Sequence, residues 1–227
     1  MIQVSNVSWI VLDIEGTMGS IDFVHKILFP YSRTELKNFL QFNKDSLQTE
    51  FKEIESQVNK KLSLEEIYTI LQQWINQDFK CTPLKSIQGK IWEQGFYSNQ
   101  FKSHLFPDVI PELSKWKILG KKLAIYSSGS IKAQKLYFSF TQTGNHLKLF
   151  SKFYDTQMGN KNEINSYIRI AQDLQQPCSQ ILFISDSLQE ITVAARAGYQ
   201  VILIHRDSKS ESSFKSTNSF DEIKVFG

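Results

Sequence analysis

The chain has 227 residues, 41% of them hydrophobic and 22% charged, with a formal net charge of +3. That length is enough for one well-buried core plus a smaller insertion, without disulfide staples. The 26 Lys and Arg residues are spread along the chain rather than gathered in a run, which argues against a nucleic-acid partner.

No window reaches the ~18 consecutive apolar residues of a membrane span, and the N-terminal residues lack the charged and apolar regions of a signal peptide. Cys81 and Cys178 form no C-x-x-C pair and read as two reduced thiols. The expectation is a cytoplasmic protein.

In chain order, the first apolar run is Trp9-Ile10-Val11-Leu12, with the length of a strand buried on both faces. Residues 21–101 contain no strand run. There Ile27, Leu28, Tyr31, Leu36, Phe39 and Leu40 recur at helical spacing, as do Ile67, Ile70, Leu71 and Trp74, and then Ile87, Ile91 and Trp92. Ser63 with Glu66 spells a capping box, and Pro83 marks the start of the next helix. Residues 21–101 are therefore expected to form a helical insertion, with 1–20 and 102–227 making the core.

Beyond the insertion, strand-like runs cover residues 123–126, 181–184 and 201–204, with a weaker one at 152–154. Helix-length stretches at 130–140, 163–174 and 188–197 lie between them. Strand alternating with helix predicts an α/β fold built on a parallel sheet. The Ser-rich stretch 208–218 is expected to be a mobile loop, with Val225 and Phe226 docking back on the core.

In an open parallel sheet, ligands bind outside the carboxyl ends of the strands. The polar residues gather at those ends. Asp13 and Glu15, in Asp13-Ile14-Glu15-Gly16-Thr17, follow the first run, and Gly16 permits a tight turn. Ser127-Ser128-Gly129-Ser130 follows the second and offers hydroxyls and N–H groups for a phosphate. Lys161 lies at an expected helix start, where the dipole does not favour a cation, so an anionic partner is implied. Asp186 follows the run 181–184, with Glu190 four residues on. Taken singly, each set has an ordinary structural explanation, such as an acidic turn, a Ser cap, a solvated lysine or an Asp cap. Taken together, they are the parts that phosphoryl transfer needs, and paired carboxylates at Asp13 and Asp186 suit Mg²⁺.

These residues resemble the haloacid-dehalogenase superfamily of aspartate-nucleophile phosphatases. They are closer still to acireductone synthase, the enolase-phosphatase family of methionine salvage. Glu15 is the distinguishing mark, because most superfamily phosphatases have aspartate there. Leu105-Phe106-Pro107-Asp108-Val109, Ala133-Gln134-Lys135-Leu136, Asp155-Thr156 with Gly159 and Lys161, and Ile87-Gln88-Gly89-Lys90-Ile91-Trp92 also match. The likeness covers nearly the whole chain and fades after Arg206. Met18-Gly19-Ser20 and Ile191-Thr192 depart from the family pattern.

The resemblance implies a Rossmann-like core with a helical cap inserted after the first strand, one Mg²⁺ per subunit, and a monomer. The implied substrate is a small molecule, 2,3-diketo-5-methylthiopentyl 1-phosphate, which is enolised and dephosphorylated to 1,2-dihydroxy-3-keto-5-methylthiopentene. Residue by residue, Asp13 becomes the nucleophile, and Asp13, Glu15 (through its carbonyl) and Asp186 the metal ligands. Ser127, Ser128 and Lys161 bind the phosphate. Glu15 and Lys161 join Asp13 in catalysis, and Glu190 orients metal-bound water or Lys161. None of His25, His104, His146 and His205 stands out as the enolisation base, and Phe23, Phe29, Trp92 and Phe96 read first as core of the insertion. Rival expectations are a phosphatase for another small ester, a metal-free dehalogenase, and a catalytically silent binding protein. A dinucleotide-binding role lacks its G-x-G-x-x-G.

Overall fold

The computed structural model describes residues 1–77, 79, 81–206 and 212–226. They divide into two compact units, Met1–Ile21 with Lys102–Gly227, and Asp22–Phe101. No helix among the described residues is long and apolar enough to cross a membrane.

The chain opens with β1 (Ile2–Val4) and β2 (Trp9–Leu12). The insertion follows β2, the run Trp9–Leu12 that the sequence reads as its first strand; β1, ahead of it, pairs only with β8 and lies outside the main sheet. β1 is three residues long with a single buried side chain, which leaves no apolar run to read.

The second unit is all helical. A π-helical turn, Phe23–Leu28, runs into α1 (Phe29–Asn43), followed by α2 (Gln48–Val58), α3 (Leu64–Asn76) and α4 (Thr82–Tyr97). Leu36, Leu40, Leu47, Ile54, Leu71 and Ile87 close its own apolar core. The capping box opens α3: Ser63 Oγ accepts from the Glu66 N–H at 3.3 Å, and the Glu66 carboxylate accepts from the Ser63 N–H at 2.8 Å. Pro83 sits in the first turn of α4, where a missing N–H costs nothing.

The first unit resumes with α5 (Val109–Ile118), β3 (Lys122–Tyr126), α6 (Ile131–Ser139), β4 (Lys152–Tyr154) and α7 (Ile164–Leu174). It ends with β5 (Ile181–Ser185), α8 (Leu188–Arg196), β6 (Gln200–Ile204), β7 (Ser216–Thr217) and β8 (Ile223–Val225). Six strands pair in parallel in the order β4-β3-β2-β5-β6-β7. β2 lies inside this sheet, with Val11 in register with Ala124 on one side and Phe183 on the other. Both faces of β2 and β5 are covered, so every residue in them is buried. That coverage is why these strands read as unbroken apolar runs.

The tail differs from expectation. Residues 207–211 of the proposed mobile loop lie outside the described residues. From Ser212 onward the chain is tied down, because the Leu203 and His205 N–H groups donate to the carbonyls of Lys215 and Thr217. A two-residue strand made by backbone pairing leaves no hydrophobic pattern in a Ser-rich sequence. Val225 is buried in β8, which pairs with β1 in parallel, while Phe226 stays half exposed.

Candidate active site

All four sequence sets come from the carboxyl ends of β2, β3, β4 and β5, which are neighbours in the sheet. Asp13 is the first residue after β2. Its N–H donates to the Ile184 carbonyl at 3.1 Å, which continues the ladder, and the residue is only 5% exposed. The chain then turns sharply at Gly16, whose φ is +74°. The N–H groups of Thr17, Met18 and Gly19 all donate to the Ile14 carbonyl. A methyl group at position 16 would fall 2.1 Å from Asp186 Oδ2, so only glycine lets the turn approach that carboxylate.

Lys161 Nζ donates to Asp13 Oδ1 and, at 2.9 Å, to Glu190 Oε2. Lys161 lies in the turn ahead of α7 rather than in the first turn of that helix, so its burial comes from tertiary contacts. Tyr167 Oη, donating to the Lys161 carbonyl at 2.9 Å, and Ser166 Oγ, donating to the Asn160 carbonyl at 2.7 Å, shape that turn. Burial alone would lower the Lys161 pKa. The carboxylates of Asp13 and Glu190 outweigh it and hold the pKa above the ordinary range, so the ammonium persists at any working pH.

Asp186 follows β5, and Thr17 stands between it and Asp13. Thr17 Oγ1 accepts from the Asp186 N–H at 2.9 Å and lies 3.4 Å from Asp186 Oδ1 and 3.5 Å from Asp13 Oδ2. Glu190, in the first turn of α8, accepts from Ser185 Oγ at 2.9 Å as well as from Lys161.

The two serines of the second set separate. Ser127 is fully buried, donates to Glu15 Oε2 at 3.2 Å, and accepts from the Gly129 N–H at 3.2 Å. Ser128 is exposed on the loop. Gln134 Nε2 fixes that loop by donating to the carbonyls of Gly129 at 2.7 Å and Tyr154 at 2.9 Å.

The site carries excess negative charge. Among the described residues, Asp13, Glu15, Asp186 and Glu190 gather around one ammonium, Lys161. Burial and the Asp13 charge push Glu15 and Glu190 upward. Burial, then Asp13, then Glu190 raise Asp186 to about 7. A divalent cation beside Asp13 and Asp186 would relieve this repulsion. Among the described residues no cluster of three or more His, Cys, Asp or Glu is arranged to hold a metal. Two carboxylates, with remaining positions for water and phosphate oxygens, is the donor set of Mg²⁺ rather than of zinc or calcium.

Two features escape a reading by spacing. Thr17 lies in a quoted motif, but only the fold shows it between the carboxylates. Arg206, two residues past β6, donates to the Thr17 carbonyl through Nε at 2.9 Å and Nη2 at 2.7 Å. The strand-end rule, extended to β6, is the signal that reaches it. The four aromatic residues singled out in the insertion lie in the interior of the second unit or against one another: Phe23 and Phe96 are buried, and Phe29 packs edge-on to Trp92.

A family model described as haloacid dehalogenase-like hydrolase matches residues 7–198. An enolase-phosphatase E1 of Aquifex aeolicus (strain VF5) is 42% identical over 95% of this chain and 98% of its own length. One from Sulfurihydrogenibium sp. (strain YO3AOP1) is 43% identical over 95% and 97%. Among solved structures, the UTR4 protein of Saccharomyces cerevisiae matches with a TM-score of 0.80 at 29% identity, covering 96% of this chain and 100% of that one. A haloacid-dehalogenase-type phosphatase from Thermococcus onnurineus shares the fold, with a TM-score of 0.63 at 16% identity and 95% coverage of both chains. With relatives matched along nearly their full length and a family model over residues 7–198, this chain belongs to the enolase-phosphatase family of the haloacid dehalogenase-like hydrolases.

Proposed function

We propose that the chain is a Mg²⁺-dependent enolase-phosphatase that acts as a cytoplasmic monomer in methionine salvage. On this reading it converts 2,3-diketo-5-methylthiopentyl 1-phosphate to 1,2-dihydroxy-3-keto-5-methylthiopentene and phosphate. The observation that supports it best is a buried Asp13 carboxylate paired with a permanently charged Lys161 and facing Asp186 across Thr17.

Asp13 attacks phosphorus through the oxygen turned away from Lys161, the phosphorus–oxygen bond to the substrate breaks, and that oxygen departs as the enolate and takes up a proton; water then hydrolyses the aspartyl-phosphate to phosphate and free Asp13. Lys161, bonded to Asp13, offers positive charge to the phosphoryl oxygens. The carboxylates of Asp13 and Asp186 and the main-chain carbonyl of Glu15 would hold Mg²⁺, which supplies charge neutralisation for the approach of one anion to another. The 127–130 loop receives the phosphate through the Ser128 hydroxyl and N–H, because the Ser127 and Gly129 N–H groups are taken up by the Tyr154 carbonyl and Ser127 Oγ. The Ser127 proton is directed at Glu15, so Ser127 serves as a brace. Glu15, pushed up by burial and Asp13, keeps its proton more readily than an ordinary carboxyl and is placed to exchange one with the substrate. Glu190 steadies Lys161. The helical unit Asp22–Phe101 serves as the cap.

The test is to incubate the protein with the diketo phosphate, with and without Mg²⁺, following acireductone absorbance and phosphate release together. Coupled appearance of both, lost with EDTA and in Asp13→Asn, is expected. Phosphate release from p-nitrophenyl phosphate but not from the diketone would keep the phosphatase and overturn the substrate. Activity that survives EDTA would overturn the metal.

A further inference from the structure

Arg206 is a nearly buried cation that touches none of the site carboxylates described above. Two of its donors, Nε and Nη2, straddle the Thr17 carbonyl oxygen at 2.9 and 2.7 Å. Nη1 donates to both carboxylate oxygens of Asp108, at 2.9 and 2.8 Å, and to the Asn218 carbonyl at 3.3 Å. Asp108 Oδ2 also accepts from the Phe220 N–H at 2.7 Å. The guanidinium carbon Cζ lies over two rings, 4.3 Å from the Phe106 centroid and 5.0 Å from that of Phe220. Phe106 in turn donates its N–H to the Met18 carbonyl at 2.9 Å.

The loop after β2 is thus gripped at two consecutive carbonyls, Thr17 by Arg206 and Met18 by Phe106. Thr17 is fully buried, and its hydroxyl sits between Asp13 and Asp186. The hydroxyl has one proton to give and already accepts from the Asp186 N–H. Where the Thr17 peptide sits therefore sets where the two carboxylates stand relative to each other.

We infer that Arg206, neutralised by Asp108, is a positioning residue: by pinning the Thr17 carbonyl it fixes the spacing of Asp13 and Asp186 for a divalent cation. The inference rests on the reading that these two carboxylates hold that cation. A lysine at 206 carries the charge but lacks the rigid fork, so it cannot straddle Thr17 and face both Asp108 oxygens at once.

The test is Mn²⁺ binding to the full chain by electron paramagnetic resonance, with no substrate present. Thermal melts by circular dichroism identify the variants that fold. Residues that orient metal ligands typically change affinity by about 10-fold to 100-fold when removed, and a loss in that range is expected for Arg206→Met. Arg206→Lys should lose less. Adding Arg206→Met to Thr17→Val should weaken binding no further than Thr17→Val alone, because the arginine acts through the threonine. Unchanged Mn²⁺ affinity in folded Arg206 variants, with only a lower melting temperature, would overturn the inference and leave a structural clamp. Fully additive losses would overturn the route through Thr17. If Arg206→Met does not fold, Arg206→Lys decides by the same criterion. A parent protein that binds no Mn²⁺ overturns the metal reading itself, and the inference with it.

Discussion

Gly19 and Tyr137 compete for one space. A methyl group at position 19 would fall 1.9 Å from Tyr137 Oη, 3.1 Å from its Cζ, and 2.6 Å from the His104 carbonyl oxygen. Tyr137 is buried, and its hydroxyl donates to that same carbonyl. The tyrosine and the His104 carbonyl thus leave no room for a side chain at 19.

Gly19→Thr is expected to destabilise by about 1–3 kcal/mol through overpacking. Tyr137→Leu removes the ring atoms that collide. Urea denaturation of the double variant should show less loss than the two single losses added together. Strict additivity would show that Gly19 is not there for the tyrosine.

Asp13 and Lys161 are both buried and bonded to each other, yet their removal should act in opposite ways. Asp13 raises the pKa of Glu15, Asp186 and Glu190, so it strains the metal-free site as well as pairing with Lys161. Asp13→Asn should abolish turnover and leave stability unchanged or higher, as expected where function opposes stability. Lys161→Met leaves buried carboxylates unpaired and should cost about 3–5 kcal/mol. Urea denaturation without divalent cation checks both, and equal losses would refute the account of excess negative charge.

The spatial gathering of the site was legible because a parallel sheet forces it. Residues 13, 127 and 186 each directly follow a buried strand, and those strands are neighbours. What the sequence could not show is direction and distance. Ser127 and Ser128 are adjacent and chemically identical, but one is buried against Glu15 and the other faces solvent. Arg206 meets Asp108 and Thr17 across 98 and 189 residues of chain, a separation that no local pattern encodes. β1, β7 and β8 have two or three residues each and are held by backbone pairing, which does not select side chains. α5 lies just after a recognised motif, but its apolar spacing is weak, and Pro111 within it reads as a breaker.

The tail offers a sharper check. Phe220 is fully buried, and its ring stacks on Trp116 at 5.4 Å. Phe226, six residues on, is 49% exposed. Phe220→Ala should cost about 3–5 kcal/mol, as large aromatic truncations in a core do. Phe226→Ala should stay within about 0.5 kcal/mol of the parent. Chemical denaturation distinguishes them, and a loss at Phe226 as large as that at Phe220 would mean that the end of the segment docks as firmly as Phe220 does.

In the helical unit, Glu50 Oε1 accepts from Lys90 Nζ and Ser86 Oγ, each at 2.6 Å. Burial alone would raise the Glu50 pKa, but these two bonds and the local backbone outweigh it and hold the pKa below the ordinary 4.5. A carboxylate whose folded pKa lies below its unfolded value adds stability that is fully present above about pH 4.5 and fades as pH falls through the folded value. Glu50→Gln should therefore lower the melting temperature at neutral pH, with a gap to the parent that narrows steadily below about pH 4.5. Melting curves of both proteins across that range decide it. A gap that stays constant on acidification would mean that neutral hydrogen bonding, not the charge on Glu50, links α2 to α4.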